Sequence, residues 1–249
     1  MSIISLSSNN IKIKPYNGAF LSEIIHFEKN QEIKLLGRVV SLSLDCVTVQ
    51  PLGNIPSINL SELRTQPTQK PIQVNMSPTI IGRKFNSVGN PLDGLGEILE
   101  IETGDLISVE KVLAYSKIEN ISQSELYENL AYLTQDNLVL VIVGQANLIR
   151  DRILQSHFLT QISVQYEVGN LWTDWIIAFE QAAIVAHYIA SVLNFEVIII
   201  LDGDQQYKDS ISRQNQFYTK FLTDLPVEIT YPDIVSSGDV DSKIQLWLV

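Results

Sequence analysis

Residues 80–98, IIGRKFNSVGNPLDGLGEI, hold three turn signals in one short stretch: Gly82-Arg83, Gly89-Asn90-Pro91 and Asp93-Gly94-Leu95-Gly96. Gly89, Gly94 and Gly96 can take positive φ at little steric cost. Pro91 fixes its own φ, and the Asp93 carboxylate can bond the backbone just downstream. Successive tight turns between two strands are predicted here, and a helix through the stretch is excluded.

The pattern differs on the two sides of this stretch. Before it, short β-rich runs over 11–13, 18–27, 33–36, 39–49 and 72–74 are separated by Pro51, Gly53, Pro56, Pro67 and Pro71, which exclude long helices. Half a dozen short strands with one buried face lose their exposed edges by closing, so a small β-barrel is expected. From about residue 120 helices and strands alternate, the signature of a parallel sheet flanked by helices. Ser122-Gln-Ser-Glu125 forms a capping box ahead of Leu126, Leu130 and Leu133, predicting a helix over 122–134. The apolar run 138–143 ending in Gly144 is a strand buried on both faces. Helices are expected over 146–158, 173–193 and 206–222, extended chain over 162–168, and a strand over 196–201. The tail 244–249 is either a last strand or a segment that docks on a partner. The composition changes near Pro78, giving a small β-barrel domain over 1–78 and an α/β domain over 79–249.

Bulk properties remove several function classes. A chain of 249 residues with 45% hydrophobic content can bury a core in each of two modest domains. Its net charge of −11 argues against nucleic acid, since phosphate binding needs clustered Lys and Arg. The lone Cys46 excludes an internal disulfide, and its place in the run 41–49 suggests a small buried side chain. The N-terminus lacks a basic segment followed by an apolar one, so an intracellular protein is expected. Residues 176–201 are long and apolar enough to suggest a membrane span. Glu180, Gln181, His187, Asn194 and Glu196 interrupt them, and the run divides into an alanine-rich helical half and a β-branched strand half, so membrane insertion is not expected. His26, His157 and His187 share no ligand spacing, and no metal or cofactor is expected. No GxSxG elbow occurs. Trp172 and Trp175, three apart at a helix start, are expected to pack on one face.

The strand over 196–201 runs into Asp202. A carboxylate at the carboxyl end of a buried parallel strand sits where open α/β sheets bind ligands, and at a phosphate site it would orient a magnesium ion through water. Asp202-Gly203-Asp204 is equally good turn composition, and both readings stay open.

The 80–98 stretch closely resembles the segment joining the N-terminal barrel to the nucleotide-binding domain in the alpha and beta subunits of rotary ATPases, written there roughly LLGRVxxxxGxPxDGxGxI. Further motifs follow in the family's order: Val141-Ile-Val-Gly144-Gln145 resembles VAIGQK, Ala186-His187-Tyr188 stands where the family has AEY or GEY, Val197 to Asp202 resembles LIIYDD, and Tyr231-Pro232-Asp233 resembles AYPGD. Upstream, residues 18–53 resemble the barrel run. The resemblance covers about 17–235 and is greatest to the alpha subunit of the F-type ATP synthase, because Gln145 stands where the catalytic beta type has its glutamate. It implies a reduced RecA-like core. It also implies that Gln145 and Asp202 are remnants of the nucleotide and magnesium site, and that Gly82, Arg83, Gly89, Pro91, Asp93, Gly94 and Gly96 are a structural linker.

One element of that family is missing from the sequence. Between the linker and the Gly-Gln strand the family carries GxxxxGK followed by Thr or Ser, which supplies backbone N–H groups and a lysine to the phosphates and a hydroxyl to magnesium. Here no lysine is followed by Ser or Thr, and residues 97–136 contain only Gly104. The arginines of the family's segment after the magnesium aspartate are also absent, and the resemblance puts the finger arginine and the rotor-facing domain beyond Val249. The expected function is a non-catalytic scaffold or assembly subunit, a pseudo-ATPase. Its expected partners are other protein subunits of an ATP synthase-like, membrane-associated complex in a cytoplasmic or organellar compartment. The alternative is a divergent nucleotide-binding subunit of a rotary or secretion ATPase.

Overall fold

A computed structural model describes residues 2–6, 10–52, 59, 62–71, 73–99, 102–104, 117–132, 137–145, 159, 161–169, 171–221 and 243–249. The chain forms two compact units that divide between Gln73 and Val74.

The first unit is an antiparallel sheet of β1 (Ile3–Leu6), β2 (Ile11–Ile13), β3 (Ile24–Lys29), β4 (Glu32–Leu42), β5 (Val47–Leu52) and β6 (Arg64–Pro67), in the spatial order β1-β2-β5-β4-β3-β6. Alternate residues Ile11, Ile13, Ile25, Phe27, Val47 and Val49 line one face and form its core with Leu35, Val39 and Leu63. Among the described residues β1 and β6 do not meet, so this is an open six-stranded sheet of a kind compatible with a barrel.

Three details differ from the expectation. The run 39–49 is not one strand, because the chain reverses at residues 43–46, where the Ser43 hydroxyl accepts from Cys46 N–H at 3.0 Å and donates to its carbonyl at 2.8 Å. Cys46 is therefore half-buried at a hairpin tip and not a core residue. The expected run 33–36 and the first part of the expected run 39–49 are one strand, since Gly37 interrupts only the side-chain pattern. A Cβ there would lie 2.4 Å from Val49 Cγ1, a close approach that only glycine permits.

The second unit holds β7 (Val74–Met76), which pairs antiparallel with β9 (Glu102–Gly104), and the parallel sheet that defines the unit. That sheet is built from β8 (Lys84–Asn86), β10 (Lys117–Asn120), β11 (Leu138–Gly144), β12 (Ser163–Glu167), β13 (Glu196–Asp202) and β14 (Ile244–Leu248), in the order β10-β14-β13-β11-β12-β8 with every neighbour parallel. A short 3-10 turn (Pro78–Ile80) and helices α1 (Gln123–Tyr132), α2 (Trp172–Ser191) and α3 (Asp204–Phe221) complete the described elements. The capping box forms as expected, with Ser122 N–H donating to Glu125 Oε2 at 2.9 Å and Glu125 N–H to Ser122 Oγ at 3.3 Å. The helix expected over 146–158 lies outside the described residues.

Strand alternation sorts the core into two layers. Val139, Val141, Val143, Val197, Ile199, Leu201, Leu246 and Leu248 pack on the α2 side. Leu138, Leu140, Ile142, Ile198, Ile200 and Trp247 pack on the other side with Leu126 and Leu130 of α1. A parallel sheet is stable only when covered on both faces, which is why these strands are apolar throughout. Ala178, Ala182, Ala186 and Ala190 recur along α2, and small side chains let a helix axis approach closely. The same helix also contacts β7, so it is buried on nearly all sides, which accounts for apolarity that suggested a membrane span. Among the described residues no helix is long and apolar enough to cross a membrane. The tail, left open between strand and docking segment, is β14 and lies inside the sheet between β10 and β13.

Phe179, fully buried and 4.8 Å from the Tyr207 ring, sits at the centre of the α2 layer. Phe179→Ala is expected to cost about 3–5 kcal/mol through lost burial and a residual cavity, measured by urea unfolding followed by circular dichroism.

Candidate functional site at the carboxyl edge of the parallel sheet

Parallel strands present all their carboxyl ends on one edge, and here that edge carries Gln145, Asp202 and the turn at Gly89, while Gly82, Arg83, Asp93, Gly94 and Gly96 lie by the amino end of β8. β11 ends at Gly144, which is in register with Asp202, the last residue of β13. From β11 the chain proceeds to β12 on one side, and from β13 it proceeds through α3 to β14 on the other. The crevice between β11 and β13 is therefore a topological switch point, the usual ligand position in open α/β sheets.

Gly144 lies under the Asp202 side chain, since a Cβ at 144 would stand 2.9 Å from Asp202 Cβ and 3.4 Å from Oδ2. Asp202 is half-buried, and its carboxylate has no hydrogen bond or ion pair among the described residues. Burial pushes its acidity toward higher pH with nothing opposing it. Gly203 has φ +120°, and a Cβ there would meet Trp175 Cη2 at 2.5 Å, so the indole packs against the turn that carries the aspartate. Trp175 is buried and Trp172 packs partly buried against the same core, as their spacing suggests. Gln145 follows β11 and is exposed.

The 80–98 stretch is not a free connector, because it belongs to the second unit. Gly82, at φ +86°, donates its N–H to the Ser163 carbonyl at 2.8 Å, and Lys84–Asn86 then adds to the sheet as the edge strand β8 beside β12. The chain folds back so that Pro91 bridges Phe85, while Leu92 N–H donates to the Lys84 carbonyl at 2.8 Å, and the outer side of β8 is covered by its own return segment. A proline at this place is compatible with an edge because it needs no ladder donor.

Asp93 organises the second half of the loop. It accepts from Arg83 through Nε at 2.5 Å and Nη2 at 3.2 Å, and from the backbone N–H groups of Leu95 at 3.0 Å and Lys84 at 3.1 Å. The same guanidinium donates to the Gly96 carbonyl at 2.5 Å and lies 5.7 Å from the centre of the Phe85 ring. Burial works to raise the pKa of Asp93, but the Arg83 hydrogen bonds, the two backbone donors and the Arg83 charge outweigh it and hold the carboxyl at about 2. Gly94 and Gly96 both have positive φ and open space around them.

The first half of the loop is anchored by residues that the sequence reading did not assign. The Ser87 hydroxyl donates to Asp174 Oδ1 at 3.0 Å, and Gln181 Nε2 donates to the Ser87 carbonyl at 2.7 Å. Asp174 is 4% exposed and Gln181 1% exposed, one helical face of α2 seven residues apart. Asp174 also accepts from Leu171 N–H at 3.3 Å. Burial raises the Asp174 carboxyl, opposed by the Ser87 and Leu171 donors. Gly89 has φ +87°, and a Cβ would fall 2.4 Å from Gln181 Oε1. The available signal was the presence of polar residues on an otherwise apolar helix: Gln181 was noted only as an interruption of an apolar run.

The anchored turn and Asp202 lie on the same edge of the sheet but not together. Three strand spacings separate β8 from β13, roughly 14 Å. Gln145 and Asp202 stand at the carboxyl ends of β11 and β13, while Gly82, Arg83, Gly89, Pro91, Asp93, Gly94 and Gly96 belong to the hydrogen-bonded loop around β8. Among the described residues no group of His, Cys, Asp and Glu is placed to hold a metal ion.

No family model matches the chain. It is 30% identical over 93 residues to the V-type ATP synthase beta chain 2 of Clostridium tetani, a stretch that is 37% of this chain and 20% of that protein. The V-type ATP synthase beta chain 2 of Treponema pallidum is 27% identical over 95 residues, 38% of this chain and 20% of the relative. The V-type ATP synthase beta chain of Thermotoga neapolitana is 25% identical over 96 residues, 39% and 21% of the two chains. These matches support a relationship to the rotary ATPase family. The chain spans about a fifth of the length of these relatives. They are beta chains of V-type enzymes, so the comparison does not single out the F-type alpha subunit to which the motifs pointed.

Two outcomes test this geometry. Gly94→Ala is expected to cost about 1–2 kcal/mol for φ alone. Gly89→Ala is expected to cost about 2–4 kcal/mol, because it also displaces the buried Gln181 amide, and the two are compared by denaturant unfolding. Asp93 has a folded-state value below its unfolded one, so its stabilisation is complete above about pH 4 and is lost as pH falls toward about 2. The stability gap between the native chain and Asp93→Asn should therefore narrow across that window in pH-dependent melting curves.

Proposed function

We propose that the protein is a non-catalytic subunit of a rotary ATPase-type complex, a pseudo-ATPase whose β-sheet unit and α/β unit serve as contact surfaces for other protein subunits. The observation that carries this reading is chemical. A parallel sheet covered by helices is present and the turn-rich loop around its edge strand is anchored, yet no lysine in the chain is followed by Ser or Thr, so the usual means of gripping a triphosphate is missing from the sequence. The similarity to ATP synthase beta chains supports membership of a multisubunit assembly, and its place is peripheral to the membrane. Descent from the alpha type rests on Gln145 alone.

Asp202 favours a second reading, a divergent nucleotide-binding subunit. It is a half-buried carboxylate at a switch point with no partner among the described residues, and such a group is costly unless something neutralises it. In the scaffold reading that cost is simply unrelieved, so Asp202→Asn should leave the ligand-free protein as stable as the native chain or more so at neutral pH.

Calorimetric titration with magnesium and ATP separates the readings. No heat of binding is expected from the native protein. Micromolar binding that Asp202→Ala abolishes would overturn the scaffold reading, because it would require a phosphate cradle built from other groups.

A further inference from the structure

The two edges of the N-terminal sheet are unlike each other. β6 is blunted: it carries the exposed Arg64 and ends in Pro67, and charge and proline are the common means of keeping an edge from pairing. β1 has neither protection. Residues 1–11 contain no charged side chain and no proline, and β1 itself reads Ile-Ile-Ser-Leu. Among the described residues it pairs antiparallel with β2 on its inner side only.

Its backbone geometry leaves groups pointing outward. The Ser2 carbonyl accepts from Lys14 N–H at 3.1 Å, so Ser2 faces β2 and, by the alternation of an antiparallel ladder, Ile3 turns its N–H and carbonyl to the open side. The register shifts between Ile3 and Ser5, which leaves Ile4 without an opposing residue on β2. The side chain at this bulge is an isoleucine that is 50% exposed, with no charge to repel a partner.

We propose that the chain self-associates through this edge, two copies pairing their β1 strands antiparallel about a two-fold axis to form one continuous sheet. Outward backbone donors and acceptors call for another extended backbone, and the absence of charge on β1 makes the edge complementary to itself. The blunted β6 disfavours the alternative β1-to-β6 contact, which would not close and would build filaments. Pairing would also cover the exposed Ile4 side chains. The inference is independent of the nucleotide question.

Sedimentation equilibrium of the full chain tests it, with Ile4→Lys as the variant. Because Ile4 is half-exposed, lysine is accommodated in the monomer, and an unchanged melting temperature checks this. The expected result is a monomer–dimer equilibrium in the native chain whose dissociation constant rises at least about tenfold in the variant, where two like charges are brought together. A second readout needs no variant: Ile3 and Ile4 amides should exchange with deuterium more slowly in concentrated than in dilute native protein. A native chain that is monomeric at every concentration, a dimer unaffected by Ile4→Lys, or equal exchange rates would each overturn the proposal.

Discussion

The constraint on which the α/β unit depends is that a parallel sheet cannot leave a face in water. β11 and the interior of β13, residues 197–201, are apolar at every position because one set of side chains meets α2 and the other meets the α1 layer. Burying both sets fixes the helices to opposite faces and directs all carboxyl ends to one edge. It also removes any freedom for β14, whose Leu246 and Leu248 fill the α2 layer while Trp247 fills the other.

Two carboxylates at opposite ends of the parallel strands stand in different electrostatic surroundings: Asp93 beside the amino end of β8 and Asp202 at the carboxyl end of β13. Asp93 is a carboxylate supplied with as many donors as it can use, and the result is a rigid loop with its charge held. Asp202 is half-buried and has no donor among the described residues. The first arrangement holds a loop in place, and the second leaves a partly buried carboxylate without such support.

Much of the fold was legible because its signals are local. The Ser122–Glu125 capping box, the apolar run ending at Gly144, the alanine-rich helix and the β-branched strand before Asp202 each declare their type within a few residues, and the helix and strand boundaries fell within a residue or two. The loop chemistry was legible for the same reason: Gly89, Gly94 and Gly96 adopt positive φ, and Asp93 bonds the backbone just beyond it. The reversal at residues 43–46 was missed because its side chains alternate as a strand does, and only the Ser43–Cys46 hydrogen bonds turn the chain. The short strands Lys84–Asn86 and Arg64–Pro67 were missed because three or four residues carry no measurable period.

By itself the sequence determined the types of its elements, the position of its tight turns and the lack of a phosphate-gripping loop, since propensity, φ preference and motif spacing act over a few neighbouring residues. Only the tertiary structure decided that the tail enters the sheet between β10 and β13, that the turn-rich stretch becomes an edge strand of the second unit, and that Asp174 and Gln181 hold that stretch to α2. Strand order and buried polar contacts between residues about 90 positions apart, such as Gln181 with Ser87 (94 apart), depend on which faces must be covered at once, and no local pattern encodes that.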